Sequence, residues 1–256
     1  MTPARLGRPT RRAGIGAHSA AVPGQPSFVS RGAVADRARA VVSGGHTDGV
    51  LVDDFLPAYD VSDSVPTVVD ANPQTVWDAL MAVDLIEVGR RKPLVGVLGV
   101  LRMLPELASD LLHGERPPAA PERLRLRETA EAPADQGGWV LLGERAADEI
   151  ALGLVGKFWR PVISYVAVTA EQFRDFAEPG YVKTLYSLSV HPLAKGGSLL
   201  SGVMRTATTD EHARRWFHRY WTLGVGSGAH VLVAGVLELT REDAERRAGS
   251  GQQPTE

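Results

Sequence analysis

One segment limits the fold more than any other, the run from Thr209 to Glu245. Thr209-Asp210 supplies side-chain oxygens suited to capping a helix, and Glu211 to Glu245 is expected to follow as one long helix. Its first turns are amphipathic. From Tyr220 onward it is apolar or small on every side, as in a helix buried against a sheet. Residues 210–240 would span ~45 Å at the α-helical rise. Leu223 to Leu237 is uncharged with His230 neutral, yet shorter than the ~20 residues a membrane span needs. The other apolar stretch, Pro93 to Leu112, contains Arg102, Glu106 and Asp110, which are costly at mid-bilayer. Both read as helices buried in protein, so no integral membrane segment is expected.

The rest of the chain supplies a sheet for that helix to cover. Tyr59 to Ala71 alternates in part and reads as a strand, with Pro66 placing it at an edge or bulge. Asn72-Pro73 is a strong helix start, and the helix runs through Val83 with Trp77, Leu80, Met81 and Asp84 near one stripe. Gly89 to Lys92 reads as a basic linker, Pro93 to His113 as an apolar helix or pair, and Pro117 to Pro121 as a break. Strands are expected at Leu124–Arg127, Trp139–Leu142, Ile150–Val155, Ile163–Val168, Tyr181–Val190 and Leu199–Thr208. Thr169 can cap a short helix, Ala170 to Phe176, and Pro192 to Ser198 is a natural hairpin connection between the last two strands.

The two ends differ from this middle. Residues 1–50 carry seven arginines and two acids, a local charge of +5 that leaves −7 on the remainder of the 256-residue chain. Small and polar residues dominate there, and such a stretch cannot bury enough apolar area to offset its ordering entropy. Arg11-Arg12 resembles a twin-arginine start, but Ala13 to Gly24 lacks an apolar core. The expected organisation is a flexible basic tail over 1–50, one domain over 51–245 and a flexible tail over 246–256. With no cysteine, disulfides, thiolate nucleophiles and thiolate metal sites are excluded. A net charge of −2 gives no electrostatic reason to expect nucleic acid as a partner, and the chain reads as soluble and cytoplasmic.

The order is strand, helix, excursion, antiparallel strands and a long C-terminal helix. Within it stand Phe176-Ala177-Glu178-Pro179-Gly180-Tyr181, Arg205-Thr206-Ala207-Thr208-Thr209-Asp210 and Ala213 to Trp221 (A-R-R-W-F-H-R-Y-W). Together with Gly226-Ser227-Gly228, Leu237 and Ala244-Glu245, these resemble a mostly uncharacterised bacterial group of the START-like superfamily, also called the polyketide cyclase/lipid-transport superfamily. The resemblance implies an α+β, helix-grip fold, a curled antiparallel sheet of about seven strands around the long C-terminal helix. It also implies a hydrophobic cavity between sheet and helix that holds sterols, lipids, polyketides or hormones. A minority of members catalyse cyclisation or dehydration there, and no universal catalytic motif transfers by position.

Individual constellations add little chemistry. Gly224-Val225-Gly226-Ser227-Gly228 imitates a phosphate loop, but it lies inside a helical run with no Lys-Ser/Thr behind it. Small residues there let a helix approach a sheet, leave room for a ligand, or mark a kink near Gly224. Trp216, Tyr220 and Leu223 fall on one helical stripe, Phe217 and Trp221 on its neighbour. His191, His212, His218 and His230 offer no i,i+4 pair, so no metal and no cofactor is expected. Glu144, Arg145, Asp148 and Glu149 read as a solvated turn. Serines 187, 189 and 201 lack a nucleophile elbow. The expected activity is binding of a small hydrophobic ligand, lipid or polyketide-like, with Arg205, Trp216, Tyr220, Ser227 and His230 as candidate ligand contacts. Arg205 belongs to that set only if it points inward. A cyclase or dehydratase using the same cavity is the alternative, with no residue assigned as catalytic.

Overall fold

The computed structural model describes residues 50–97, 122–132 and 138–250. The expected basic tail lies outside the described residues except for Val50. So do most of the apolar stretch Pro93–His113, the break at Pro117–Pro121, and residues 251–256. A short helix α1 (Leu51–Phe55) opens the chain, followed by β1 (Val61–Val69), α2 (Pro73–Ala82), α3 (Leu85–Arg91), α4 (Leu126–Glu131), β2 (Trp139–Arg145) and β3 (Glu149–Gly156). Then come α5 (Ala170–Asp175), β4 (Val182–Pro192), β5 (Ser198–Thr208), α6 (Glu211–Tyr220) and α7 (Gly226–Ser250), with a π-helical turn at Trp221–Val225 between the last two.

Local chemistry accounts for most boundaries. Asn72 Oδ1 accepts a hydrogen bond from Thr75 N at 2.9 Å, and Pro73 takes the first helical position, so α2 begins where the sequence predicts. Thr169 and Gln172 form a reciprocal capping box on α5. Asp210 caps α6 by accepting from Ala213 N. The turn Leu193–Gly197 closes the β4–β5 hairpin through two backbone hydrogen bonds.

The five strands form one antiparallel sheet in the order β1-β5-β4-β3-β2. β1 is thus an edge strand, which accommodates Pro66 opposite Ser201. The registers align residues into transverse rows. One row runs Val61, Thr206, Thr184, Leu154, Trp139, and the next runs Asp63, Met204, Tyr186, Leu152, Leu141. These rows face α2, α4 and α7, whose Leu80, Leu126, Val233 and Leu237 join Ile150, Leu152, Leu188 and Leu200 in the larger core. The alternate residues, Ala151, Val155 and Leu185, pack on the opposite side with Leu51, Val52 and Phe55 of α1 and with Phe173 of α5. Gly202 permits a close approach of helix to sheet, since a Cβ there would sit 2.5 Å from Val233 Cγ1. The fold is α+β and of helix-grip type, an antiparallel sheet with the long C-terminal helix packed against it.

Several expectations are corrected. The sheet has five strands among the described residues, not about seven. Leu124–Arg127 is not a strand. Only Arg125 bridges to Asp84, and the chain turns at once into α4, where Glu128 reaches back to the Arg125 amide. Ile163–Val168 is irregular, with a single bridge from Tyr165 to Gly156. Gly89–Lys92 is not a linker but the end of α3 and its cap. Asp84 starts that helix by accepting from Ile86 N, and Arg90 and Arg91 lie in its last turn, where cations suit the helix dipole. The C-terminal tail expected from residue 246 begins as helix instead. Arg246 and Arg247 both pair with Asp243 one turn back, and α7 runs to Ser250.

Candidate functional site

Between the inner face of the sheet and the C-terminal helices lies a cavity of ≈ 270 Å³, partly open to solvent. The strands contribute Trp139, Ile150, Leu152, Leu154, Thr184, Tyr186, Leu188, Met204 and Thr206. These are the inward positions of the rows above, so the pairing register alone brings them together. Leu85 and Leu126 close one side, and Phe158, Ile163 and Tyr165 from the segment after β3 close another. The roof is helical: Phe217, Tyr220, Trp221, Val225, Ala229, Leu232, Val233 and Val236.

The break between α6 and α7 shapes that roof. Gly224 has φ +107°, a conformation that L side chains rarely adopt, and the ladder widens to a π turn at Trp221–Val225. The kink that the glycine spacing allowed is therefore present. It rotates the aromatic stripes relative to a straight helix. Phe217 and Trp221 stack at 5.4 Å between centroids, with Phe217–Tyr220 at 6.5 Å. Leu223 is turned out and 84% exposed.

Polar groups in the wall are few. Thr184 and Thr206 hydroxyls satisfy each other at 3.1 Å. Thr129 Oγ1 donates to the carbonyl of Arg125 at 3.0 Å. Tyr186 stands in the middle row with its ring edge-on to Trp139 at 5.7 Å. Burial, then the neighbouring Tyr220 and Asp63, push its phenol up to about 12 from the usual tyrosine value. No hydrogen bond to the Tyr186 hydroxyl forms among the described residues. Among the described residues no carboxylate, imidazole, amine or guanidinium lines the cavity.

Of the five residues singled out in the sequence, Tyr220 alone lines this cavity. Arg205 lies on the opposite face of the sheet. It is buried there, donating to the carbonyls of Val52 and Leu56 at 3.1 and 3.0 Å and pairing with Asp53 at 2.7 Å, while its guanidinium lies over the Tyr59 ring. Its neighbours Met204 and Thr206 face the cavity, so strand alternation turns Arg205 away. Trp216 is exposed beside Arg219 and His212. Ser227 is exposed in the first turn of α7. His230 sits at the margin, its Nδ1 2.7 Å from Asp63 Oδ2 on β1. The supposed solvated turn is also corrected at Glu149. That side chain is buried on the outer face, where it accepts from Leu51 N and Ser187 Oγ and lies near Arg145.

Sequence reasoning missed the strand contribution, above all Tyr186 and the Thr184–Thr206 pair. The signal was the period of two in Thr184, Tyr186 and Leu188, readable once the strand pairing is known. The arrangement can enclose an apolar molecule and offer it hydroxyl groups at one wall. Among the described residues no group of three or more His, Asp or Glu side chains is placed to hold a metal ion. No protein-family model matches the chain, and no curated protein is detectably similar to it.

Proposed function

We propose that this chain binds a small hydrophobic molecule, lipid or polyketide-like, in the cavity between its sheet and C-terminal helix. On this reading it is a cytoplasmic carrier or sink related to the START-like superfamily. The cavity itself carries the proposal. Its ≈ 270 Å³ approaches the ~300–1,000 Å³ of typical small-molecule sites. Its wall is aliphatic and aromatic apart from a few hydroxyls, so affinity comes from apolar area and shape, with orientation set by the hydroxyls. A cyclase or dehydratase in the same space would need a group able to move protons near neutral pH. The described residues of the wall offer tyrosine and threonine hydroxyls but no carboxylate or imidazole, so binding is the better-supported activity. The helix Glu211–Ser250 is long and apolar enough to cross a membrane by composition. Its contacts with β1, β5, α2 and α3 seat one side of it on the fold, while only 28% of its most apolar window is buried.

The test fills the cavity. Leu152→Trp projects an indole from β3 into the empty space while keeping a buried apolar residue there. The neutral fluorophore N-phenyl-1-naphthylamine should brighten and saturate on the native protein. In the variant its affinity should fall at least tenfold while Tm stays within a few degrees. Equal binding by both proteins would place the fluorophore elsewhere and defeat the proposal.

A further inference from the structure

The ligand's chemistry can be narrowed from a hydroxyl in the middle of the wall that has no hydrogen-bond partner among the described residues. This step rests on the binding function proposed above. The Tyr186 hydroxyl points from the central strand into an apolar enclosure and forms no hydrogen bond among the described residues. It therefore offers a donor to whatever fills the space, which phenylalanine at the same place would not. The other inward hydroxyls of the sheet are satisfied, Thr184 with Thr206. Trp139 braces the Tyr186 ring edge-on, so the hydroxyl is held in place before any ligand arrives. We infer that the cavity accepts an uncharged ligand carrying an exposed carbonyl oxygen, such as a ketone, aldehyde or ester, which receives a hydrogen bond from Tyr186 Oη.

The direction of that bond follows from the phenol's environment. Burial and the nearby Tyr220 and Asp63 keep it protonated across the physiological range, so it is available as a donor. A ligand oxygen that accepts from it is the partner that uses this donor. A carboxylate would accept as well, but it would enter a wall to which the described residues contribute no cationic side chain, and the carboxylate of Asp63 lies close enough to perturb the phenol. An anion moved from water to such a place loses its hydration without a counter-charge. Free fatty acids and other acids are therefore selected against, and their neutral carbonyl counterparts are favoured.

Three probes of equal heavy-atom count separate these cases: 2-acetylnaphthalene (ketone), 2-isopropylnaphthalene (hydrocarbon) and 2-naphthoate (carboxylate). Each is titrated against N-phenyl-1-naphthylamine bound to the full chain and to Tyr186→Phe. Removing an unpartnered hydroxyl leaves the fold intact, which an unchanged or raised Tm verifies. The native protein should bind the ketone at least tenfold better than the carboxylate. Tyr186→Phe should lower the ketone-to-hydrocarbon affinity ratio five- to tenfold, with the hydrocarbon unaffected. The carbonyl stretch of bound 2-acetylnaphthalene should lie below its value in alkane solvent, and should return to that value in Tyr186→Phe. An unchanged affinity ratio, or a carboxylate preferred to the ketone, overturns the inference while leaving the cavity a binding site. Failure of the fluorophore and all three probes to bind overturns both.

Discussion

At position 205 a guanidinium is enclosed by the carbonyls of Val52 and Leu56, the Asp53 carboxylate and the Tyr59 ring. It fastens α1 to the outer face of the sheet, and with Glu149, which accepts from Leu51 N, it makes that face a polar clasp around an apolar core. Arg205→Met keeps the stem but strands two buried carbonyls, so it should lower stability by about 2–4 kcal/mol. Apolar-probe affinity should be unchanged, because the side chain lies across the sheet from the cavity, and chemical denaturation beside a fluorescence titration reads both. Tyr186 makes a second residue-level prediction. Its phenol is raised from about 10 in the unfolded chain to about 12 in the folded one. The folded state therefore holds the proton more tightly. Its contribution is fully present below pH ~10 and is lost as pH rises through ~12. In a titration of tyrosinate absorbance, one of the five tyrosines should ionise last, near pH 12, and that phase should be missing in Tyr186→Phe.

The elements whose signals are local were legible: the Asn72-Pro73 start of α2, the Thr169 cap of α5, the edge placement of β1 by Pro66, and the β4–β5 hairpin. Leu124–Arg127 and Ile163–Val168 were misread because alternation over a few residues resembles a strand whether or not a partner strand exists. The site was less legible than the fold. Of the five residues that chemical type singles out, only Tyr220 lines the cavity, since a residue's face depends on register and on helix rotation. The π turn illustrates the latter: within it Trp221 and Val225 line the cavity while Leu223 faces solvent. Gly224 holds that turn in open space, so Gly224→Ala meets no steric obstacle and its cost is that of the backbone conformation alone. Stability should drop by about 1–3 kcal/mol. Apolar-probe affinity should fall with it, because Trp221 and Val225 flank the altered residue. A loss of stability with binding untouched would show that the turn does not shape the roof.

Across the whole molecule, the sheet is covered on both faces, and the two coverings differ in kind. The outer side is packed by α1 and Phe173 and tied by buried charges, whereas the inner side, under the long helix, retains ≈ 270 Å³ of apolar space. Close packing is the norm in protein interiors, and a void of this size with an apolar wall forfeits contacts that a ligand would restore. The composition of the chain limits what could fill it: without cysteine no thiolate is available there, and the described residues of the wall supply no charged group for an ion pair. The most direct measurement is native mass spectrometry of the gently purified full chain, followed by solvent extraction and identification of what is released. The account predicts a stoichiometric adduct that extracts as a neutral, carbonyl-bearing apolar molecule and is absent from Leu152→Trp. A native protein that carries no adduct and takes up none from an apolar extract of its host cells would contradict it.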